Sequence, residues 1–262
     1  MSDTQGRPAR SMSAERRYGI AISVALILGG LYWALTGLSE GNESGQSSYQ
    51  LDGRSLVVEG KSTSIEIQPG SGTELQVDRR FERNAFGSAP TDTFGDGKFE
   101  LKDTNCGFLS LNCKTTYVLT VPRDVKLTVK NSSGSIKVSG MTGETELKTN
   151  SGDITVDGLG GTLRMESSSG DLDGAGLTAT TVTTKSSSGS TELGFNSAPE
   201  SVDAKASSGD VSIVVPSGTE TYKVDSHTSS GDNEPNVRVD PAATRSITVK
   251  TSSGDVSIDY DH

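Results

Sequence analysis

The chain has 262 residues, of which 31% are apolar and 31 are glycine, and its net charge is −10. An acidic body of this kind repels nucleic acid and anionic lipid headgroups, which argues against nucleic acid as a partner. Low apolar content with abundant Gly and Ser would also suit a disordered chain, but Val, Ile and Leu recur at every second position, which a disordered chain has no reason to do.

Residues 1–17 read as a short cytoplasmic tail carrying Arg7, Arg10, Arg16 and Arg17 against Asp3 and Glu15. Residues 18–38 hold no charge, and about 21 residues at 1.5 Å each span the roughly 30 Å hydrocarbon layer. Tyr18, Tyr32 and Trp33 lie toward the ends of this run, where amphipathic rings favour the interface. Arginines before it and Glu40 and Glu43 after it place the N-terminus in the cytoplasm and the C-terminal part outside. The competing reading is a cleaved signal peptide. The run is longer than a usual signal core, and Ala34-Leu35-Thr36 makes a poor cleavage site, so an uncleaved transmembrane helix in the bilayer is expected.

Residues 39–50 are polar without an apolar pattern and read as a linker. Residues 51–123 are β-rich but irregular, with strand-like runs at 55–59, 64–68, 74–77, 98–102 and 116–121 and a loop from Asn84 to Gly97. This section holds Phe81, Phe86, Phe94, Phe99, Phe108 and Tyr117, and reads as the N-terminal cap that protects the end of an array. Cys106 and Cys113 lie within it; outside the cytoplasm such a pair oxidises, and a disulfide is expected. The chain-entropy relation gives about 2–3 kcal/mol for so short a loop.

Residues 124–262 form a repeat domain. A small polar triplet ending in glycine recurs seven times, at Gly134, Gly152, Gly170, Gly189, Gly209, Gly231 and Gly254, at intervals of 18 to 23 residues. Apolar residues alternate on either side, as in Leu127 and Val129 before Gly134, then Ile136 and Val138 after it. Period-two alternation means strands with one face in a core. Each unit supplies two short strands joined by a glycine turn. The expected fold is all-β: a parallel β-solenoid of about seven two-strand repeats, roughly 34 Å long at about 4.8 Å per layer. The alternative is an antiparallel β-sandwich. The last unit ends at His262, leaving little sequence for a separate C-terminal cap.

This pattern resembles bacterial putative-adhesin proteins of the β-strand-repeat kind, a domain family of unknown function. The resemblance covers roughly residues 50–262 and includes Cys106, Cys113 and the stretch Tyr117–Pro122. It implies a basic tail, one membrane helix and an adhesin-like role.

The candidate sites are structural. Asp153, Asp171, Asp210, Asp232 and Asp255 follow repeat glycines and would stack as an acidic ladder. Unit charges about 4.8 Å apart in water repel by about 0.9 kcal/mol, which calcium would relieve. Asp also favours turns by bonding its own backbone, and that is the preferred reading. A serine hydrolase needs a base, and only His227 and His262 exist; His227 reads as a solvated turn residue. No catalytic, cofactor or metal residues are expected. The chain reads as a single-pass, cell-membrane protein with its C-terminal domain extracellular. Its role is structural, adhesive or protein-binding at the envelope, toward an envelope protein or cell-surface partner. The alternatives are an envelope-stress signalling accessory, which would need a relay partner, and an enzyme acting on wall polysaccharide.

Overall fold

The computed structural model describes residues 41–51, 53–83, 91–102 and 114–261. The run 18–38, Cys106, Cys113, Phe86 and Phe108 lie outside these residues. Among the described residues no helix is long and apolar enough to cross a membrane, and every regular element is a strand.

The first part contributes β1 (Gly41–Gln50), β2 (Ser55–Glu59), β3 (Ser64–Gly70), β4 (Glu74–Arg83), β5 (Thr91–Gly95), β6 (Lys98–Lys102) and β7 (Lys114–Pro122). The middle contributes pairs: β8 (Lys126–Ser133) with β9 (Ile136–Ser139), β10 (Thr145–Ser151) with β11 (Ile154–Asp157), and β12 (Thr162–Ser169) with β13 (Leu172–Leu177). Two more follow, β14 (Thr181–Ser188) with β15 (Thr191–Phe195) and β16 (Ser201–Ser208) with β17 (Val211–Val215). The chain ends with β18 (Tyr222–Thr228), β19 (Asn233–Pro235), β20 (Arg245–Thr251) and β21 (Val256–Tyr260).

The first strand of each pair joins one sheet and the second strand joins the other. The two sheets run β1-β4-β7-β3-β9-β11-β13-β15-β17-β21-β19 and β18-β20-β16-β14-β12-β10-β8-β2-β6-β5. Pairing within the array is parallel and in register, so equivalent residues stack. Ile136, Ile154 and Leu172 form one column, and Leu127 stacks through Thr145 onto Leu163. These columns fill the space between the sheets, where Leu127, Ile136, Leu147, Ile154, Leu163 and Leu172 are fully buried. This is a parallel two-sheet solenoid, not an antiparallel sandwich. Antiparallel pairing is confined to β1 with β4, β4 with β7, and β5 with β6.

The spatial order departs from chain order at both ends. The unit β2/β3 lies between β6/β7 and β8/β9, and β20/β21 lies between β16/β17 and β18/β19. The array therefore holds eight two-strand units over roughly 38 Å, with β6/β7 laid on as a further layer. The C-terminal cap is the unit that precedes the last one in sequence. Its outer strand β19 is three residues long, fully exposed and ends in Pro235, which blunts the sheet edge.

At the other end, residues 41–50 are the strand β1 rather than a linker. An edge strand is held by main-chain pairing, here to β4 over its whole length, and needs no apolar face. Within the loop expected from Asn84 to Gly97 lies the strand β5; with β6, the run expected at 98–102, it forms a hairpin. Its turn, Asp96-Gly97, has φ of 51° and 71°, the doubly left-handed geometry that matches strand twist. Phe81, Phe99 and Tyr117 are buried, and Phe94 packs on the core against Tyr49 with ring centroids 5.1 Å apart. The described aromatics of this section thus serve packing. Arg79 on β4 and Asp92 on β5 form an ion pair of 2.8 Å, with the Asp92 side chain 1% exposed. Tyr49 Oη donates to the other Asp92 oxygen at 3.0 Å, tying the two sheets together at this end.

Candidate interaction surface

One edge of the solenoid is built from the repeated turns. All seven repeat glycines have positive φ, between 104° and 139°. Gly170, at 133°, shows why no other residue serves. That backbone region is reserved for glycine, and a Cβ there would run into the carbonyl of Gly152 in the layer below. The same approach recurs along the edge, each glycine lying over its predecessor, so that Gly254 lies on Gly209 and Gly231 on Gly254. In the first unit Thr63 occupies the equivalent place beneath Gly134.

The aspartates that follow the glycines bond the next layer rather than their own turn. Asp153 Oδ1 accepts the Asp171 amide at 3.0 Å, and Asp171 Oδ1 accepts the Ser190 amide at 2.8 Å. Beyond the break at Ser190 the series resumes: Asp210 accepts from the Asp255 amide at 2.9 Å and Asp255 from the Asp232 amide at 2.8 Å. These carboxylates are backbone acceptors between layers. Among the described residues no group of three or more His, Cys, Asp and Glu could hold a metal ion.

A second feature of this edge has no apolar signature. Three residues before the repeat glycines, an inward polar side chain lies under the turn: Asn131, Thr149, Ser167, Ser186, Thr228 and Thr251, with Ala206 as the exception before Gly209. Thr228 Oγ1 donates to the Gly254 carbonyl at 2.9 Å, and Thr251 Oγ1 to the Ser253 carbonyl at 3.1 Å. The Ser253 carbonyl also accepts the Gly209 amide of the neighbouring layer at 2.9 Å, so the two hydroxyls add side-chain donors to the turn carbonyls. Spacing relative to glycine is the signal that marks the set.

Beside the turn edge, the outer face of one sheet carries an ordered row. In register, Glu100, Glu59, Lys130, Lys148, Glu166, Lys185, Lys205, Lys250 and His227 succeed one another. Five lysines thus stand in one line on a body of net charge −10. Adjacent ammonium groups repel by about 0.9 kcal/mol in water at strand spacing. Interleaved acids offset this: Glu166 lies 3.3 Å from Lys148 and 3.8 Å from Lys185, and Asp203 lies 2.7 Å from Lys205. All five lysines are exposed, so each pair adds well under about 1 kcal/mol. Next to the row runs an exposed ledge of small polar residues, Ser132, Asn150, Ser168, Ser187, Ser207 and Ser252. His227 is exposed on β18 rather than in a turn, and pairs in register with Lys250.

The opposite outer face is acidic near Asp173, whose neighbours across the sheet are Thr155 and Glu192. Burial pushes the Asp173 carboxyl above the usual carboxylate range, and the charges of Glu192, Asp171 and Asp153 add to the shift. A carboxyl whose folded pKa is raised favours folding below its unfolded pKa and loses that contribution as pH rises through the folded value. Asp173→Asn is therefore expected to raise the melting temperature at pH 7. The gain should shrink toward zero below about pH 4, near the unfolded value; an equal gain at both pH values would show that charge is not its cause.

The family pattern Toastrack DUF4097 matches residues 53–160 and 126–259. No curated protein matches the chain. A crystal structure of a putative adhesin from Bacteroides fragilis is similar at 14% identity and a TM-score of 0.54, covering 85% of this chain and 99% of that one. A putative adhesin from Parabacteroides distasonis is 8% identical with a TM-score of 0.41, covering 85% and 98%. A putative lipid binding protein from the same species is 11% identical with a TM-score of 0.43, covering 86% and 98%. The first of these likenesses is one of fold. With the family pattern extending over both cap and repeats, this chain belongs to the Toastrack DUF4097 family.

Proposed function

We propose that this chain is a single-pass cell-membrane protein whose solenoid faces outward and acts, adhesin-like, by binding at the cell envelope. Residues 18–38 anchor it in the bilayer, residues 1–17 are cytoplasmic, and Cys106 and Cys113 form a disulfide in the oxidising compartment. The observation that carries the reading is the lysine row with its serine ledge. It keeps one register over the length of the array and brings Lys130, Lys148, Lys185, Lys205 and Lys250 into one line. A surface with that period suits an extended partner, to which many weak contacts add.

The test is binding by whole cells that display the full chain. Changing Lys148, Lys185 and Lys205 together to Gln should reduce cell–cell aggregation and retention on immobilised envelope fragments at least several-fold. The amount of protein at the surface should stay constant, because all three side chains are exposed. Undiminished adhesion by the triple variant would remove the row from the account.

A further inference from the structure

We infer that neighbouring copies of this chain associate side by side in the membrane, the basic outer sheet face of one docking on the acidic outer sheet face of the next. The inference rests on the lysine row being a binding face and on the anchor at residues 18–38, and it names the row's partner as a second copy. The two outer faces differ in charge strand by strand. In one sheet β8, β10, β12, β14, β16 and β20 each carry Lys or Arg. In the other sheet β11, β13, β15, β17, β21 and β19 carry neither. From β9 onward, the strands of that sheet hold one base, Lys137 on β9 itself.

Within single layers the two charges face opposite ways. Unit β10/β11 holds Lys148 and Asp157, β12/β13 Arg164 and Asp173, β14/β15 Lys185 and Glu192, and β20/β21 Lys250 and Asp259. Lys185 lies four residues before Gly189 and Glu192 three residues after it, so both stand at a like distance from the turn on opposite outer faces. The acids have no cation of their own. Among the described residues Asp157, Asp173, Glu192 and Asp259 form no ion pair. Burial, and then the charges of Glu192, Asp171 and Asp153, raise the Asp173 carboxyl, and an ammonium brought by a neighbour would offset the charge part. The surface also dips at this place. Ala175, Gly176 and Gly194 leave a depression of about 360 Å³ edged by Asp173, Glu192 and Asp261. Asp173 and Glu192 are paired in register across β13 and β15, so the exposed Lys185 of a neighbouring copy can set its ammonium between them.

A second copy fits the row because it brings the same layer spacing with the complementary sign. Copies held in one membrane also stand at one height, since only Ser39 and Glu40 separate the anchoring run from β1. Each layer of one rod then meets the same layer of the next. Lys148 turns toward Asp157, Arg164 toward Asp173, Lys185 toward Glu192 and Lys250 toward Asp259. The contact joins unlike faces, so it repeats from copy to copy without closing and makes a row. Five layers at about 4.8 Å, with strands of about five residues, give roughly 400 Å² per copy. That is about half of what a stable soluble interface buries, so the row forms between anchored copies, whose confinement raises the effective concentration. Each exposed pair adds little, and their sum along the rod supplies the affinity. Copies held in a row pool their weak contacts to other surfaces, which connects self-association with adhesion.

The experiment is resonance energy transfer in living cells between full chains carrying a donor or an acceptor fluorophore before Met1. The unchanged chain should show transfer above that of an unrelated anchored protein at equal density. Lys148→Glu/Lys185→Glu/Lys205→Glu should lower that excess at least several-fold when donor and acceptor chains both carry it, and so should Asp173→Lys/Glu192→Lys/Asp259→Lys. Donor chains with one reversal and acceptor chains with the other should restore it, because one variant then offers two acidic faces and the other two basic ones. Restoration also shows that both variants are folded. No excess in the unchanged chain, an excess that survives either reversal, or no restoration on mixing would overturn the proposal. If it is overturned while Lys148→Gln/Lys185→Gln/Lys205→Gln still reduces adhesion, the row binds a different partner and the adhesive reading stands. If restoration succeeds while that triple variant adheres undiminished, self-association stands and the adhesive reading falls.

Discussion

Replacing Gly170 by valine is expected to destabilise the array by about 3 kcal/mol or more. The backbone region at φ 133° costs a side chain about 1–3 kcal/mol. The new Cβ must also push against the Gly152 carbonyl, and because the layers are in register that displacement strains the turns above and below. A urea titration followed by the β signal measures the loss. Gly158 is the control: its φ is also positive, 63°, but nothing lies within 4 Å of a Cβ there. Gly158→Ala should cost only about 1–2 kcal/mol, the backbone strain alone. Asp171→Ala removes one exposed carboxylate-to-amide bond and should cost about 1 kcal/mol. A chelator should leave all these values unchanged, since the ladder aspartates accept amides. Comparable costs for Gly158→Ala and Gly170→Val would refute the close-stacking account.

The second large effect concerns the exchanged order at the C-terminus. Ending the chain at Thr244 removes β20 and β21, which occupy an interior layer. Ile247, Val249, Val256 and Ile258 leave the core, each fully or almost fully buried. At about 1.5–3 kcal/mol per side chain this is roughly 6–12 kcal/mol of burial. The cap β18/β19 then has no layer to rest on, and hydrogen exchange should show protection lost from β16 onward. A different deletion removes more sequence and should do less harm. Replacing residues 216–244 with a five-residue loop like Asn196–Glu200 removes the outermost unit and leaves β20/β21 stacked on β16/β17. That variant should keep its protected core. If the shorter truncation is the milder of the two, the order of the layers is wrong.

The repeated layers were legible because each obeys two local rules at once. Alternation at Ile136 and Val138, then Ile154 and Val156, fixes which face is buried, and Gly134 and Gly152 fix where the chain turns. Neither rule says which layer is the neighbour. A parallel layer meets much the same apolar column above and below. Nothing local therefore distinguishes β20/β21 lying on β16/β17 from β18/β19 doing so, although the exposed Asn233 and Pro235 mark the latter as suited to an end. The strand β1 was not legible, since its pairing is main chain to main chain. The Asp96-Gly97 hairpin carried a readable signal that the surrounding Gly, Ser and Pro obscured. At the surface, the lysine row becomes visible only with register. Lys130, Lys148, Lys185, Lys205 and Lys250 are scattered by 18 to 45 residues in sequence and are brought into line by stacking.

The outward-facing rod is tested most directly by labelling intact cells with a membrane-impermeant maleimide. The full chain would carry a single added cysteine, either Ser207→Cys on the exposed ledge or Ser11→Cys before the apolar run. The account expects Ser207→Cys to be labelled on intact cells, Ser11→Cys only after lysis, and Cys106 and Cys113 only after reduction. Labelling of Ser11→Cys on intact cells, with Ser207→Cys reached only after lysis, would contradict it.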